Sequence, residues 1–309
     1  MPIRLPQQFP AATQLDAEGI EVLHFDRAVS QDIRPLKVVL FNLMPTKIDT
    51  EVQLLRLLSR SSIQIEAYFL RASTHVPKHD SAHLNHFYVN FDDIKDQRFD
   101  AIIFTGAPVE QLDFEEVDYW DEFKKVVQWA SDNVFAELFI CWGAQAGLYS
   151  EFGIQKQMLK DKLFGAYPHS IVATHQFTRG FDDTVYIPQS RHSDVDITGL
   201  QKVINEGKLL ELVSSYALGP NILTTPHGHK TYVLGHLEYD RGTLENEYKR
   251  DVSQGLNTDV PKNYYPEDNP KLEPLMSWKA HANLFFVNWI NYVYQETPFD
   301  LNKLSPCKF

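Results

Sequence analysis

A cysteine that ends an apolar run and is followed at once by small residues has the surroundings of a nucleophile. In Glu137-Leu-Phe-Ile-Cys-Trp-Gly-Ala-Gln-Ala-Gly147 an apolar, strand-like segment meets Cys141 and then a turn that opens a helix. A residue at such a corner projects its side chain out of the sheet. The next amides and the helix N-terminus supply positive dipole for a thiolate and for an oxyanion. Gly143, Ala144, Ala146 and Gly147 leave room for backbone to approach a substrate. A lone cysteine is otherwise a small buried hydrophobe; the elbow is what marks Cys141 for chemistry.

A nucleophile needs a base, and the base needs something to orient it. The stretch Thr231-Tyr-Val-Leu-Gly-His-Leu-Glu-Tyr-Asp240 reads as a strand with His236 and Glu238 two apart, so that both side chains emerge on one side. A carboxylate beside an imidazole fixes its tautomer and raises its basicity. Taken alone, this pair is as well explained by surface residues; beside the elbow it completes a nucleophile, base and carboxylate set. A metal reading attaches to His75, His79, His83 and His86, spaced four, four and three apart. Pro77 interrupts any helix there, and no HExxH, cysteine pair or obvious third carboxylate accompanies the run. The expectation is a loop or short helix over the mouth of the site, and no metal.

The elements that must hold these groups follow an α/β order. Lys37 to Leu43 suits a buried parallel strand, and Met44 to Thr50 is a loop carrying Lys47. Asp49 or Thr50 is expected to cap a helix from Glu51 to Arg60, and Ile63 to Leu70 is the next strand. That βαβ unit makes the sheet parallel and puts ligand loops at the carboxyl ends of its strands. Asp100 to Pro108 is a strand running into Val109 and Glu110, Glu115 to Asn133 an amphipathic helix, and Leu138 to Cys141 the elbow strand. The order predicts a doubly wound, mostly parallel sheet with helices on both faces.

Beyond it, short strands and turns are expected from Met158 to Tyr239. A helix over 242–255, a proline-rich loop over 261–274 and a core-closing helix over 278–294 complete the chain. Residues 1–35, with Pro2, Pro6, Pro10 and Pro35, read as an irregular lead-in, and 36–309 as one α/β domain.

Composition narrows the partners. The 309 residues are 43% hydrophobic, ample for a core, and 29 basic against 41 acidic residues leave a net charge of -12. Such a surface repels phosphate backbones and anionic membranes, so neither nucleic acid nor a membrane is expected. No signal-type apolar run follows Met1 and no stretch nears about 20 apolar residues, so secretion and membrane spanning lack support. The only cysteines, Cys141 and Cys307, do not form a disulfide framework, which fits a reducing cytoplasm. Neither GxGxxG nor GxxxxGK[ST] occurs, so no bound dinucleotide or nucleoside triphosphate is expected.

Three separated motifs, Asn42-Leu-Met-Pro-Thr-Lys-Ile-Asp-Thr-Glu51, Cys141-Trp-Gly-Ala-Gln-Ala146 and Gly235-His-Leu-Glu-Tyr-Asp240, together resemble the homoserine O-acyltransferases of methionine biosynthesis. That branch is usually named homoserine O-succinyltransferase. The similarity extends over nearly the whole chain, including Thr105-Gly-Ala-Pro108, Tyr119-Trp120 and Arg250-Asp251. The resemblance implies the class I glutamine-amidotransferase-like fold, a homodimer, no permanently bound cofactor, and an acyl-CoA as donor. It implies that Cys141 takes the acyl group as a thioester in a ping-pong cycle, with His236 as base and Glu238 orienting it. Lys47 and the Trp142 amide would stabilise the oxyanion, and Lys162, Ser190 and Arg250 would hold the amino-acid substrate.

Within that family a Glu at position 110 goes with acetyl-CoA and a Gly with succinyl-CoA. The physics agrees: a succinyl carboxylate within about 4 Å of Glu110 would be repelled by roughly 4 kcal/mol at an effective dielectric of 20. That is about a thousandfold in rate. The expected activity is therefore homoserine O-acetyltransferase, with acetyl-CoA as donor and L-homoserine as acceptor. Two departures bear on the acceptor: Leu237 stands where the family usually has Pro, and Gln189 where His is commoner. Homoserine and serine differ by one methylene, worth about 1 to 3 kcal/mol in a pocket, so serine acetylation is the alternative. Succinyl transfer, a Cys-triad amidotransferase or hydrolase, and a non-catalytic binding protein are further alternatives. Phe139, two before the cysteine where amidotransferases prefer Gly, speaks against the amidotransferase. Retention of Lys47, Cys141, His236 and Glu238 speaks against the inert protein.

Overall fold

The computed structural model describes residues 3–5, 9–18, 22–24, 34–74 and 81–305. Its strands are β1 (Ile3–Leu5), β2 (Val22–His24), β3 (Leu36–Phe41), β4 (Ile65–Leu70), β5 (Tyr88–Val89), β6 (Phe99–Phe104), β7 (Val134–Ile140), β8 (Lys156–Ile171), β9 (Thr184–Val195), β10 (Leu210–Ser215), β11 (Gly219–Thr224) and β12 (Lys230–Val233). Its helices are α1 (Pro10–Ala17), α2 (Lys47–Leu58), α3 (Ser81–Phe87), α4 (Phe91–Ile94), α5 (Trp120–Asn133), α6 (Trp142–Phe152), α7 (Ile197–Asn205), α8 (Thr243–Ser253) and α9 (Lys279–Glu296). The strands form one sheet in the order β2-β1-β4-β3-β6-β7-β12-β11-β10-β8-β9, with β5 added beside β4.

The sheet has two halves. From β2 to β12 every pairing is parallel. From β12 to β9 every pairing is antiparallel. Both faces of the parallel half are covered, which is why its strands read as unbroken apolar runs. Val38, Leu40, Ile103, Leu138 and Ile140 pack into a core with α1, α2 and α9. Their neighbours Val39, Phe41, Ile102, Phe104 and Phe139 pack into a second core with α5, α6 and α7. The period of two thus sorts each strand between two cores, and the helices lie on both faces as expected.

The chain leaves β3 toward β4 on one side and reaches β6 on the other, a reversal that opens a crevice at the carboxyl ends. The loops after β3, β6, β7 and β12, four consecutive neighbours, all end there. Two glycines let α6 settle onto them. A Cβ on Gly143 would meet the Thr105 carbonyl at 2.6 Å, and one on Gly147 would meet the Phe139 ring at 2.9 Å.

Several expectations need correction. The lead-in is not irregular throughout: within residues 1–35, β1 pairs with β4 and α1 packs against α2 through Ala11, Ala12 and Leu15. Helix α2 begins at Lys47 with Thr46 before it, so Asp49 and Thr50 lie inside the first turn; the Thr50 hydroxyl donates back to the Thr46 carbonyl at 3.1 Å. Helix α5 begins only at Trp120, because Asp113 and Glu116 cap a separate 3-10 turn over Phe114–Glu116. The polar start of β8, with Lys156, Gln157, Lys160 and Asp161, lacks a strand's alternation, yet it extends into a long hairpin against β9. Finally, β12 stops at Val233 and His236 and Glu238 lie in the turn beyond it, so strand alternation is not what brings them together.

Candidate active site

Cys141 stands between β7 and α6 with φ 52° and ψ -115°, a left-handed conformation that a side chain makes strained. Its amide donates to the Val233 carbonyl at 2.8 Å, and its carbonyl accepts from Gln145 N–H at 3.0 Å. The strain is held from both sides. The thiol is buried, with the residue 8% exposed. A Cβ built on Gly106 would lie 3.4 Å from Cys141 Cβ, 3.6 Å from His236 Cε1 and 3.7 Å from Met44 Sδ. The loops after β3, β6, β7 and β12 therefore meet at this glycine. Sequence reasoning gave Gly106 no part, since a missing side chain leaves no chemical signature.

His236 Nδ1 lies 2.6 Å from Glu238 Oε1. A carboxylate only accepts, so Nδ1 carries the proton and Nε2 is the ring nitrogen turned away from Glu238. The turn is anchored by His236 N–H to the Pro188 carbonyl at 2.9 Å, and the imidazole stacks on Tyr239 at 4.0 Å. Buried Arg191 donates to the Leu234 carbonyl at 3.1 Å and to Asp194 at 2.8 Å, tying the same turn to β9. Burial disfavours the imidazolium, but Cys141 and Glu238 outweigh it and hold the His236 pKa well above its ordinary value. Glu238 Oε2 is buried without a hydrogen-bond partner.

Lys162, Ser190 and Arg250 come together from β8, β9 and α8 through two acids, Glu247 and Asp251, to which sequence reasoning gave no role. Ser190 Oγ donates to Glu247 Oε2 at 2.5 Å, and Tyr239 OH donates to Glu247 Oε1 at 2.8 Å. Lys162 Nζ lies 2.9 Å from Asp251 Oδ2 and 3.8 Å from Glu247 Oε2. Arg250 grips Asp251 Oδ1 through Nε at 2.9 Å and Nη2 at 2.7 Å. Burial would raise the Asp251 pKa, but Lys162 and Arg250 hold it below the usual carboxylate value. Tyr239, touching both His236 and Glu247, joins this polar group to the cysteine and histidine. Glu247 and Asp251 sit four apart, one turn of α8, and that spacing was the available signal.

Lys47 opens α2 and donates through Nζ to the Asn42 carbonyl at 2.6 Å. Trp142 offers a backbone amide at the start of α6, while its indole is buried against Phe114, Tyr119 and Phe123. Glu110 lies on the loop that starts at Gly106, half-buried, with its backbone carbonyl taken by Lys156 Nζ at 2.9 Å. His83 lies 2.8 Å from buried Glu51, whereas His86 is exposed. His75, His79 and Cys307 fall outside the described residues. Among the described residues no three His, Cys, Asp or Glu side chains gather as metal ligands, and no helix is long and apolar enough to cross a membrane. A cavity of about 520 Å³ lies on another side of Glu238, lined by Arg56, Arg60, Arg241 and Lys279; neither Cys141 nor His236 borders it.

Comparison with known proteins identifies the family and the fold. The homoserine O-succinyltransferase family matches residues 2–299. A homoserine O-acetyltransferase of Acetivibrio thermocellus is 50% identical over 99% of this chain and 100% of its own length. One of Brevibacillus brevis is 50% identical over 98% of this chain and 99% of its own, and one of Clostridium novyi 49% over 97% and 99%. Among solved structures, a glutamine amidotransferase of Thermotoga maritima superposes with a TM-score of 0.58 at 12% identity, covering 84% of this chain and 99% of that one. A glutamine amidotransferase of Methylobacillus flagellatus gives 0.52 at 11% identity, covering 84% and 96%. At these identities the likeness is one of fold.

Proposed function

The chain belongs to the homoserine O-succinyltransferase family, and from that membership we propose that it transfers the acetyl group of acetyl-CoA to the hydroxyl of L-homoserine in methionine biosynthesis. The observation that carries the reading is near-50% identity over the full length to relatives named homoserine O-acetyltransferase. The juxtaposition of Cys141, His236 and Glu238 supplies the chemistry.

His236 Nε2 takes the Cys141 proton, and Sγ attacks the thioester carbonyl of acetyl-CoA. The tetrahedral oxyanion draws on the Trp142 amide at the α6 N-terminus and on the Lys47 ammonium. As the C–S bond to CoA breaks, His236 returns its proton to the departing thiolate, leaving acetyl-Cys141. Homoserine then binds with its α-carboxylate on Arg250 and Lys162, beside Ser190. His236 removes the hydroxyl proton, the oxygen attacks the acetyl carbonyl, and collapse expels Cys141, which regains the proton. Glu238 keeps the ring's Nδ1–H in place throughout. Glu110 discriminates against a succinyl donor by charge. The reading includes a homodimer working in the cytoplasm without a resident cofactor.

The test is release of CoA thiol by the purified chain with acetyl-CoA or succinyl-CoA, each with homoserine or serine, the product mass being checked in every combination. Turnover with acetyl-CoA and homoserine alone is expected. A preference for serine would move the protein to cysteine biosynthesis and direct attention to Leu237 and Gln189. Silence in all four would overturn acyl transfer in favour of hydrolase or amidotransferase chemistry.

A further inference from the structure

The first of the three motifs ends in Glu51, a carboxylate that the mechanism above does not use. Its side chain is fully buried at the second turn of α2, one helical turn beyond Lys47. Two other elements face it, and a third reaches it through one of them. Tyr88 OH of β5 donates to Oε1 at 2.5 Å, and His83 Nε2 of α3 lies 2.8 Å from the same oxygen. Tyr88 OH in turn accepts from Asn42 Nδ2 at 2.9 Å. Asn42, at the end of β3, laces the loop that carries Lys47. Its Oδ1 accepts from Met44 N–H at 3.1 Å, its Nδ2 reaches the Lys47 carbonyl at 3.3 Å, and its own carbonyl accepts from Lys47 Nζ at 2.6 Å. The bonded chain runs without a gap from Glu51 through Tyr88 and Asn42 to the Lys47 ammonium.

Burying a carboxylate is costly unless something repays it. Burial does raise the Glu51 pKa, with Tyr88, His83 and Lys47 each working in the opposite direction. Yet the hydrogen-bond role toward Tyr88 alone would be served as well by a neutral amide. What the carboxylate adds is negative charge one turn from an ammonium and beside the start of a helix.

We propose that Glu51 is a positioning residue for Lys47, its charge and its bond to Tyr88 fixing Asn42 and the Lys47 ammonium at the site, with His83 holding the carboxylate from α3. This rests on the reading of Lys47 as an oxyanion donor. It also gives the histidine segment a structural role, since its described part, 81–88, braces the lysine loop.

The experiment uses the full-length chain with two separate measurements. Competitive labelling with acetic anhydride, read by peptide mass spectrometry, reports the availability of the Lys47 amine whether or not the enzyme turns over. Glu51→Gln is expected to raise the labelling rate of Lys47 at least about threefold while leaving surface lysines unchanged. CoA release is expected to fall about tenfold in kcat, with KM for homoserine held within about twofold. In a Lys47→Met background the same substitution is expected to have no further effect on kcat, the non-additivity of residues acting through one group. Unchanged Lys47 labelling, or an equal loss of kcat in the Lys47→Met background, would overturn the proposal. If Glu51→Gln does not fold, Tyr88→Phe breaks the bonded chain with the charge intact and must likewise raise the labelling of Lys47. Full activity of Lys47→Met would instead refute the oxyanion role, and the labelling would still decide whether Glu51 holds the lysine.

Discussion

Helix α6 has a buried array of charged and proton-exchanging groups at each end, and both are built on strands β7 and β12. At its start, His236 lies between Cys141 and Glu238. Near its end, Lys230 lies between Glu137 and Glu151, bonded to Glu151 and to Ser131 at 2.8 Å and 3.4 Å from Glu137, while Tyr232 OH also donates to Glu151. Each is a cationic group flanked by two acidic ones. In each, burial works against the cation and the neighbours prevail, so the pKa of His236 and that of Lys230 are both raised.

The difference lies in what holds the members. Glu137 and Lys230 are register partners in paired strands, Glu137 within β7 and Lys230 at the start of β12, and Glu151 is fixed on the helix. Cys141, His236 and Glu238 occupy a strained corner and a turn past the strand ends. The helix dipole sharpens the contrast, favouring an anion at Cys141 and requiring a cation near Glu151. On the proposed reading, similar components thus make a structural lock where the sheet fixes them and a reactive site where it lets them go.

Removing the proposed nucleophile should have the largest effect. Cys141→Ala is expected to lower CoA release by about 10⁴-fold or more, with the melting temperature little changed, as thiol assay and calorimetry would show. At the other end the balance should invert. Lys230→Met leaves Glu137 and Glu151 buried without their cation and is expected to cost about 3 to 5 kcal/mol in urea unfolding. Activity per folded molecule should stay within about threefold, because the site does not touch Lys230. Loss of activity in proportion far beyond loss of folded protein would break the comparison.

Glu238→Gln keeps the shape of the reactive array and removes its charge. It is expected to lower kcat by about a hundredfold, less than loss of the nucleophile, because an orienting residue acts through the base. The last effect is a slope with pH and concerns Glu137, whose pKa is pushed up to about 8 by burial, against Lys230 and with help from Glu151. The native state keeps this proton to about pH 8, whereas the unfolded chain loses it near the ordinary value of 4.5. More protons are bound by the native state across that window, so this group's contribution to stability falls as pH rises through it, by up to about 1.4 kcal/mol per pH unit. Glu137→Gln should flatten that slope in denaturant titrations between pH 5 and 8, whereas a slope identical to wild type would remove Glu137 from the account.

How far the sequence could be read depended on the kind of signal. The parallel half was legible because two covered faces impose unbroken apolar strands, and the βαβ order then places the loops. The polar first half of β8 was not, since its pairing with β9 gives strand structure to residues with no alternation. Cys141 could be singled out as a candidate nucleophile from the small residues around it. Glu247 and Asp251 could not be read as site groups, because acids one turn apart on an amphipathic helix look like a solvated face until Ser190, Lys162 and Tyr239 arrive from other elements.

By itself, then, the sequence determined that an apolar strand must end at Cys141, that a small-residue helix must follow, and that His236 and Glu238 lie close along the chain. These are local matters, set by side-chain size, period and spacing within a few residues. Only the tertiary structure decided that four loops converge at Gly106 and that Cys141 takes a positive φ, because both need backbone from distant segments to hold them. It also decided which acids became partners of His236 and which of Lys230. A proton's position in a buried array follows from the summed field of its neighbours, and those neighbours are brought together only by the fold.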